Sequence, residues 1–286
     1  MYMTQLDRTF IIVWLFTFLF ILIFVYFLMM FSTIENYLHF EDKNYFKHLR
    51  DYGITRINNI FSNSDIKQLR NFANNNNLSN IKTFVENSRT WKQTLTNILG
   101  NEYVMNDYVF LIKKSCIHTC HRDYNNQYYN KDQQYPSYTI IIYLENMEKC
   151  LDVIPGSQKT KNANDFNMKN RITHVPCNQG DVLLFDANLI HSGSINKNNE
   201  NMRIQMKLCH KSDYKVLDFY NNYYKIMDES SEMNTMFPRL QKHISCQYPG
   251  LTKYFKDYDR NLNTKFENPS KIHQLISNMY PKLQNV

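Results

Sequence analysis

The sequence lacks the features that mark several classes of protein. The 286-residue chain has a formal net charge of +7 but no dense cluster of Lys and Arg, so nucleic-acid binding is not expected. It has no internal repeats, and its six cysteines match no disulfide framework of a small secreted protein. An aromatic content of 15% argues against disorder. The length allows one large domain or two small ones.

Charge is absent from residues 10–31, which follow a short tail at 1–9. As a helix this run would be about 33 Å long, enough to cross a bilayer. It is too long for the apolar part of a signal peptide, and no small-residue cleavage site follows it. We therefore expect a single N-terminal transmembrane anchor and a juxtamembrane linker at 32–44. Lys and Arg flank both ends, so the side of the membrane stays open.

The rest of the chain alternates helical patterns with short strands. Helix, strand and helix patterns follow residue 45, with Ser62 or Ser64 as a helix cap and Gly100 as a helix end. The middle is rich in strand patterns, including 137–144 and 203–210. This predicts a mainly β domain at 45–210, a sandwich or jelly roll with helices packed on one side. Residues 211–286 have a mostly helical pattern and no legible function.

The segment CIHTCHRDYN at 116–125 contains the candidate metal ligands. Residues two apart on a strand point to the same side, so His121 and Asp123 can bind one metal together. A second His from a distant strand would complete a 2-His-1-carboxylate set, which is typical of non-haem Fe(II) oxygenases. His39 and Glu41 have the same spacing but lie outside the strand-rich region, and we reject them.

Two histidines could be the distal ligand, His174 and His191. His191 follows a strand pattern that begins after a Gly-Asp turn, and Arg203 comes twelve residues later on the next strand. A guanidinium near an iron site can bind a carboxylate through two hydrogen bonds. His174 has no such basic partner, which favours His191.

A zinc site is the alternative use of the same segment. It would use Cys116 and Cys120 with a pair of histidines. Structural zinc sites usually combine two separated ligand pairs, and no second CxxC or HxxxH pair follows. Zinc is therefore disfavoured, and the two cysteines are expected to be small buried side chains near the site.

From about residue 45 to 210 the sequence resembles the phytanoyl-CoA dioxygenase family of Fe(II)- and 2-oxoglutarate-dependent oxygenases. The similarity rests on the N-terminal strand and helix segment, on HRD, on the segment ending in PGSQK, and on GDVLLFDANLIH with its following Arg. The resemblance implies a double-stranded β-helix with Fe(II) bound by His121, Asp123 and His191. It implies that Arg203 binds the distal carboxylate of 2-oxoglutarate. O2 would be co-substrate, and succinate and CO2 co-products.

The sequence departs from the family pattern around the co-substrate. Gln158 replaces the His of the family's PGSHK segment, and Ile141 stands where many members carry an aromatic residue. The turn after His191 reads SGS, and one extra residue precedes Arg203. Thr139 and Tyr143 would share a strand face with Ile141, and we expect them to supply replacement hydrogen bonds.

The sequence thus predicts a membrane-anchored dioxygenase that hydroxylates an unidentified small-molecule, lipid or membrane-associated substrate. The carboxylate of Asp123 favours hydroxylation over halogenation, because related halogenases lack it. Two alternatives stay open: a catalytically inactive jelly-roll binding module, and a zinc-stabilised structural protein.

Overall fold

The computed structural model describes residues 5–30, 35–114, 119–123, 125–127, 130–160, 167, 169–194, 200–228 and 236–249. The chain divides into two compact units, Met1–Glu35 and Asn36–Val286. The first contains α1, Gln5–Met30. The second contains all the other helices and strands, and with them the candidate ligands.

The anchor predicted at residues 10–31 is not supported by the structure. In the part of the chain that the structure describes, no helix has both the length and the apolar character needed to cross a membrane. In α1 the side chains of residues 10–25 are exposed.

Four helices follow in the second unit: α2 (Tyr45–Tyr52), α3 (Asn63–Asn74), α4 (Leu78–Asn87) and α5 (Arg89–Leu99). The predicted ends are confirmed, because Ser62 and Asp65 form a capping box at the start of α3 and Gly100 ends α5. Helix α4 was not predicted, because its start lies in a run of asparagines at 74–77. Asn77 instead caps α4, accepting a hydrogen bond from the Asn80 backbone.

The strands form two sheets. Their bounds are β1 (Asn36–Tyr37), β2 (Ile54–Ile57), β3 (Tyr103–Met105), β4 (Tyr108–Lys114), β5 (Tyr138–Tyr143), β6 (Met147–Val153), β7 (Thr173–Cys177), β8 (Val182–Asp186), β9 (His191–Gly193), β10 (Glu200–His210) and β11 (Tyr223–Met227). The smaller sheet has the order β1-β7-β6-β9. The larger has the order β11-β4-β10-β5-β8-β2, with β3 also paired to β10.

Three layers result from the alternation of side chains along these strands. One face of the larger sheet packs on the helices through residues such as Ile140, Ile142, Ile204 and Met206. Its other face, with Ile141, Leu183 and Phe185, packs on Leu151 and Val175 of the smaller sheet. The unit is therefore mainly β with flanking helices and has a jelly-roll-like arrangement, as the sequence predicted.

Among the described residues after 210, the structure has a strand that the helical pattern did not predict. Two short 3₁₀ turns lead into β11, which pairs in parallel with β4 and extends the larger sheet. Its Tyr223 ring stacks on Tyr108, with ring centroids 4.4 Å apart. A further helix, α6, runs from Met236 to Gln247. Pairing and stacking with distant β4 residues outweigh the local pattern, which is why β11 was not predicted.

The Gly-Asp turn before β8 joins the sheet to the helical layer. The Gly180 carbonyl accepts hydrogen bonds from the backbone of Ile60 and Phe61, and its own N–H donates to Tyr143. Gly180 has a φ of +87°, and a Cβ atom there would lie 2.4 Å from the Phe61 carbonyl oxygen. Only glycine fits this turn without a shift of the backbone.

Gly180→Ala is accordingly expected to lower the free energy of unfolding by about 2–3 kcal/mol, the upper range for backbone strain. Gly156→Ala is the matched control, because its φ is +81° and its nearest contact to a new Cβ would be 3.5 Å. That change should cost about 1 kcal/mol from the left-handed conformation alone. Urea denaturation measures both. An equal loss of unfolding free energy in the two variants would show that the contact with Phe61 is unimportant.

Candidate metal centre

Two backbone hydrogen bonds bring the candidate histidines together. The N–H of His121 donates to the His191 carbonyl, and the N–H of His191 donates to the His121 carbonyl, both at 2.9 Å. The two residues therefore form an antiparallel bridge between the 119–123 segment and β9. The two imidazole ring centroids lie 4.5 Å apart. The Asp123 N–H donates to the Ala187 carbonyl at 2.8 Å, which fixes the end of the same segment.

The three predicted ligands form one cluster. One ligand atom from each of His121, Asp123 and His191 lies within 4.8 Å of the other two. The Asp123 Oδ1 atom is 3.7 Å from His191 Nε2 and 4.0 Å from His121 Nε2. No other such group of His, Cys, Asp or Glu occurs among the described residues.

Both imidazoles are oriented by main-chain carbonyls two residues earlier. His121 Nδ1 is 2.9 Å from the Thr119 oxygen, and His191 Nδ1 is 3.0 Å from the Leu189 oxygen. A carbonyl can only accept, so each Nδ1 carries the proton and each Nε2 presents a lone pair to the cluster. Contacts of this kind are typical of histidines that bind metals.

Burial sets the charge of the ligands. It lowers the pKa of His191 to about 3, although the Asp123 carboxylate opposes this effect. His191 is therefore neutral near pH 7, as a metal ligand must be. Burial raises the pKa of Asp123, but the nearby Lys207 ammonium outweighs it and holds that pKa below its ordinary value. The site thus has a neutral imidazole from His191 beside the carboxylate of Asp123.

This donor set can hold one metal ion. Two imidazoles and one carboxylate on one side of a cation leave positions open for other ligands, which is the arrangement that suits Fe(II) in non-haem oxygenases. Cysteine is not among the clustered donors of the described residues. The residues present therefore fit iron by number, type and tautomer.

The chain was compared with known proteins in three ways. The family model described as phytanoyl-CoA dioxygenase matches residues 56–204, just over half of the chain. The chain belongs to the phytanoyl-CoA dioxygenase family. No curated protein matches it.

Solved structures are similar at low identity. AviO1 from Streptomyces viridochromogenes Tue57 is 16% identical, with a TM-score of 0.48 over 60% of this chain and 96% of that one. EvdO2 from Micromonospora carbonacea var. aurantiaca, complexed with 2-oxoglutarate, is 11% identical, with a TM-score of 0.45 over 60% and 93%. HygX from Streptomyces hygroscopicus, with nickel and 2-oxoglutarate bound, is 12% identical, with a TM-score of 0.42 over 58% and 86%.

Arg203 of this family member lies between the two sheets. It faces Ile112 of β4 and Tyr143 of β5 in the register of the larger sheet. Its Nη1 donates to the Asn201 carbonyl at 3.1 Å, and it is 3% exposed. Among the described residues no acidic side chain pairs with it, so a buried guanidinium keeps donors for another acceptor.

Thr139 and Tyr143 do lie on the face that the sequence predicted, but both hydroxyls already have partners. Thr139 Oγ1 donates to Asp123 Oδ2 at 2.5 Å, and the Tyr143 hydroxyl donates to the Cys150 carbonyl at 2.9 Å. Burial raises the pKa of Tyr143 well above its ordinary value. Their expected contacts with a co-substrate stay a prediction.

The rejected candidates have other surroundings. His174 Nδ1 is 2.6 Å from Asp152 Oδ1, a buried carboxylate that also pairs with Lys242. Cys120 is 1% exposed, and its thiol is 3.6 Å from the Ser192 hydroxyl. Cys116 lies outside the described residues. His174 therefore belongs to a separate polar cluster around Asp152, and Cys120 is a small buried neighbour, as expected.

The sequence did not predict the position of Lys207 beside Asp123. Its Nζ contacts Asp123 Oδ2 directly and donates to Thr139 Oγ1 at 2.8 Å. Alternation along the strand does indicate that Lys207 lies on the same face as Arg203. Pairing with a residue 84 positions away leaves no local trace in a single sequence.

Replacing His191 by Gln should weaken Co(II) binding by roughly a hundredfold or more, because even outer-shell partners of a metal contribute ten- to a hundredfold. Titration of the full chain by calorimetry measures this. His174→Gln is the matched control and should leave the Kd for Co(II) unchanged.

The same titration distinguishes the zinc alternative. Cys120→Ser should keep full affinity for Co(II), since the cysteine lies outside the cluster of ligand atoms. Loss of metal binding in Cys120→Ser but not in His191→Gln would instead support a cysteine-based site.

Proposed function

We propose that this chain is an Fe(II)- and 2-oxoglutarate-dependent dioxygenase that hydroxylates a small-molecule or lipid substrate. The observation that carries the proposal is the cluster of His121, Asp123 and His191, whose donors fit Fe(II). Family membership supports the same activity. The iron, when bound, supplies the oxygen chemistry, coupled to conversion of 2-oxoglutarate to succinate and CO2.

The side chains around the triad have separate tasks in this proposal. His121 and His191 bind the metal through Nε2, with their Nδ1 protons fixed by backbone carbonyls. Arg203 binds the distal carboxylate of 2-oxoglutarate, since its guanidinium lies between the sheets without an acidic partner among the described residues. Apolar neighbours such as Ile141 and Phe185 exclude water from the same face.

The departures from the family pattern are compatible with this assignment. Four residues of β10, Glu200 to Arg203, lie opposite three residues of β4, Ile112 to Lys114. This is a β-bulge, which absorbs one extra residue and restores the alternation of the residues after it. The extra residue before Arg203 therefore does not turn the guanidinium away from the interior.

His121→Ala should abolish succinate formation by the full chain supplied with Fe(II), ascorbate and 2-oxoglutarate. Uncoupled turnover measured without substrate is the readout, with a chelator as the metal-free reference. A wild-type protein that binds metal and 2-oxoglutarate yet forms no succinate under any condition would support the inactive binding module instead.

Arg203→Gln should raise the Kd for 2-oxoglutarate by roughly tenfold to a hundredfold, since a hydrogen bond to a charged group contributes about 1.5–3 kcal/mol. Metal binding should be unchanged, because Arg203 is not a ligand. Arg56→Gln is the control: Arg56 is part-buried and donates to the Pro176 carbonyl. Unchanged 2-oxoglutarate binding in Arg203→Gln would contradict the assigned role.

A further inference from the structure

The two oxygens of Asp123 have different environments. Oδ1 faces the Nε2 atoms of His191 and His121, at 3.7 and 4.0 Å. Oδ2 accepts hydrogen bonds from Thr139 Oγ1 and from Lys207 Nζ. One oxygen of the carboxylate therefore belongs to the metal cluster, and the other to a pair of donors on the larger sheet.

Lys207 is fixed on several sides. It is 2% exposed, and its Nζ lies 5.7 Å from the ring centroids of both Tyr108 and Tyr220. Asp123 is its one acidic partner among the described residues. Burying the ammonium without its carboxylate partner would cost free energy, so the ion pair fixes the positions of Lys207 and Asp123.

The sheet register places the two donors side by side. Lys207 of β10 lies directly opposite Thr139 of β5, and its ammonium donates to the Thr139 hydroxyl at 2.8 Å. Because that oxygen accepts from the ammonium, its own proton is directed to Asp123 at 2.5 Å. Oδ2 thus receives two hydrogen bonds, and both of its in-plane lone pairs are used.

We propose that Lys207 and Thr139 are positioning residues that hold Asp123 as a one-oxygen metal ligand. A carboxylate with a free second oxygen can bind a metal through both oxygens and take an additional coordination position. The Lys207–Thr139 pair prevents this and keeps that position open for the co-substrate. The inference rests on the proposed function, and it adds two residues that act through Asp123.

The proposal predicts opposite effects on two binding constants. In Lys207→Met the apolar volume of the side chain is largely kept, but one hydrogen bond to Oδ2 and a nearby positive charge are lost. Co(II) should bind as tightly as to wild type or more tightly. The Kd of the Co(II)-loaded protein for 2-oxoglutarate should rise about tenfold, the scale of outer-shell effects at metal sites.

Thr139→Val is the second variant, because it removes only the hydroxyl and keeps the shape and the charge of the site. It should change the same two constants in the same directions by smaller amounts. It also keeps the test decisive if Lys207→Met fails to fold, since Thr139→Val leaves the buried ion pair in place.

Lys242→Met is the matched control. Lys242 is also 2% exposed, pairs with a buried carboxylate, Asp152, and donates to a backbone carbonyl, that of Gly193. Its loss should lower thermal stability, as loss of Lys207 does, but leave both binding constants unchanged. A merely structural role of Lys207 would make the two lysine variants alike.

Calorimetry on the full chain gives each constant, first with Co(II) alone and then with 2-oxoglutarate on the Co(II)-loaded protein. Weaker Co(II) binding in Lys207→Met, or unchanged 2-oxoglutarate binding in both site variants, would overturn the proposal while leaving the proposed function intact. A wild-type protein that binds Co(II) but no 2-oxoglutarate would overturn both.

Discussion

The candidate metal centre depends on one backbone contact, the antiparallel bridge between His121 and His191. Its two hydrogen bonds, each 2.9 Å long, align the 119–123 segment with β9. Alternation along the segment then places His121 and Asp123 on the side of His191 and turns the Cys120 thiol away, toward the Ser192 hydroxyl. The orientation of both imidazoles follows from the same backbone, because their Nδ1 partners are main-chain carbonyls.

Charge compensation is the second constraint. Asp123 is buried and needs a positive partner whether or not a cation is bound. Lys207 supplies it from the larger sheet, while the segment that carries Asp123 pairs with β9. The carboxylate therefore joins the two sheets of the jelly roll electrostatically. In the proposed site, the division of its oxygens between lysine and metal lets one aspartate be both a structural ion-pair partner and a ligand.

Much of this site could be predicted from the sequence because strand parity is a local property. Alternation alone places His121 and Asp123 on one side of their segment, and Arg203 and Lys207 on one face of β10. The contact of Lys207 with Asp123 could not be predicted, since it depends on the pairing of β10 with β5 and on the 119–123 segment. Helix α4 and strand β11 were not predicted either, since the cap of α4 lies within a run of asparagines and β11 is held by its pairing with distant β4.

The departures from the family pattern have structural explanations in two of the cases. Gln158 does not face the triad. Its amide donates to the Leu49 and Arg50 carbonyls near the end of α2, at 3.3 and 3.1 Å, so it holds the PGSQK turn against the helical layer.

The extra residue before Arg203 is absorbed by the bulge in β10. Without that bulge, one added residue would exchange the faces of the strand and place Arg203 in the apolar helical core. The insertion and the bulge therefore compensate each other, and Arg203 keeps its place on the strand face that it shares with Lys207.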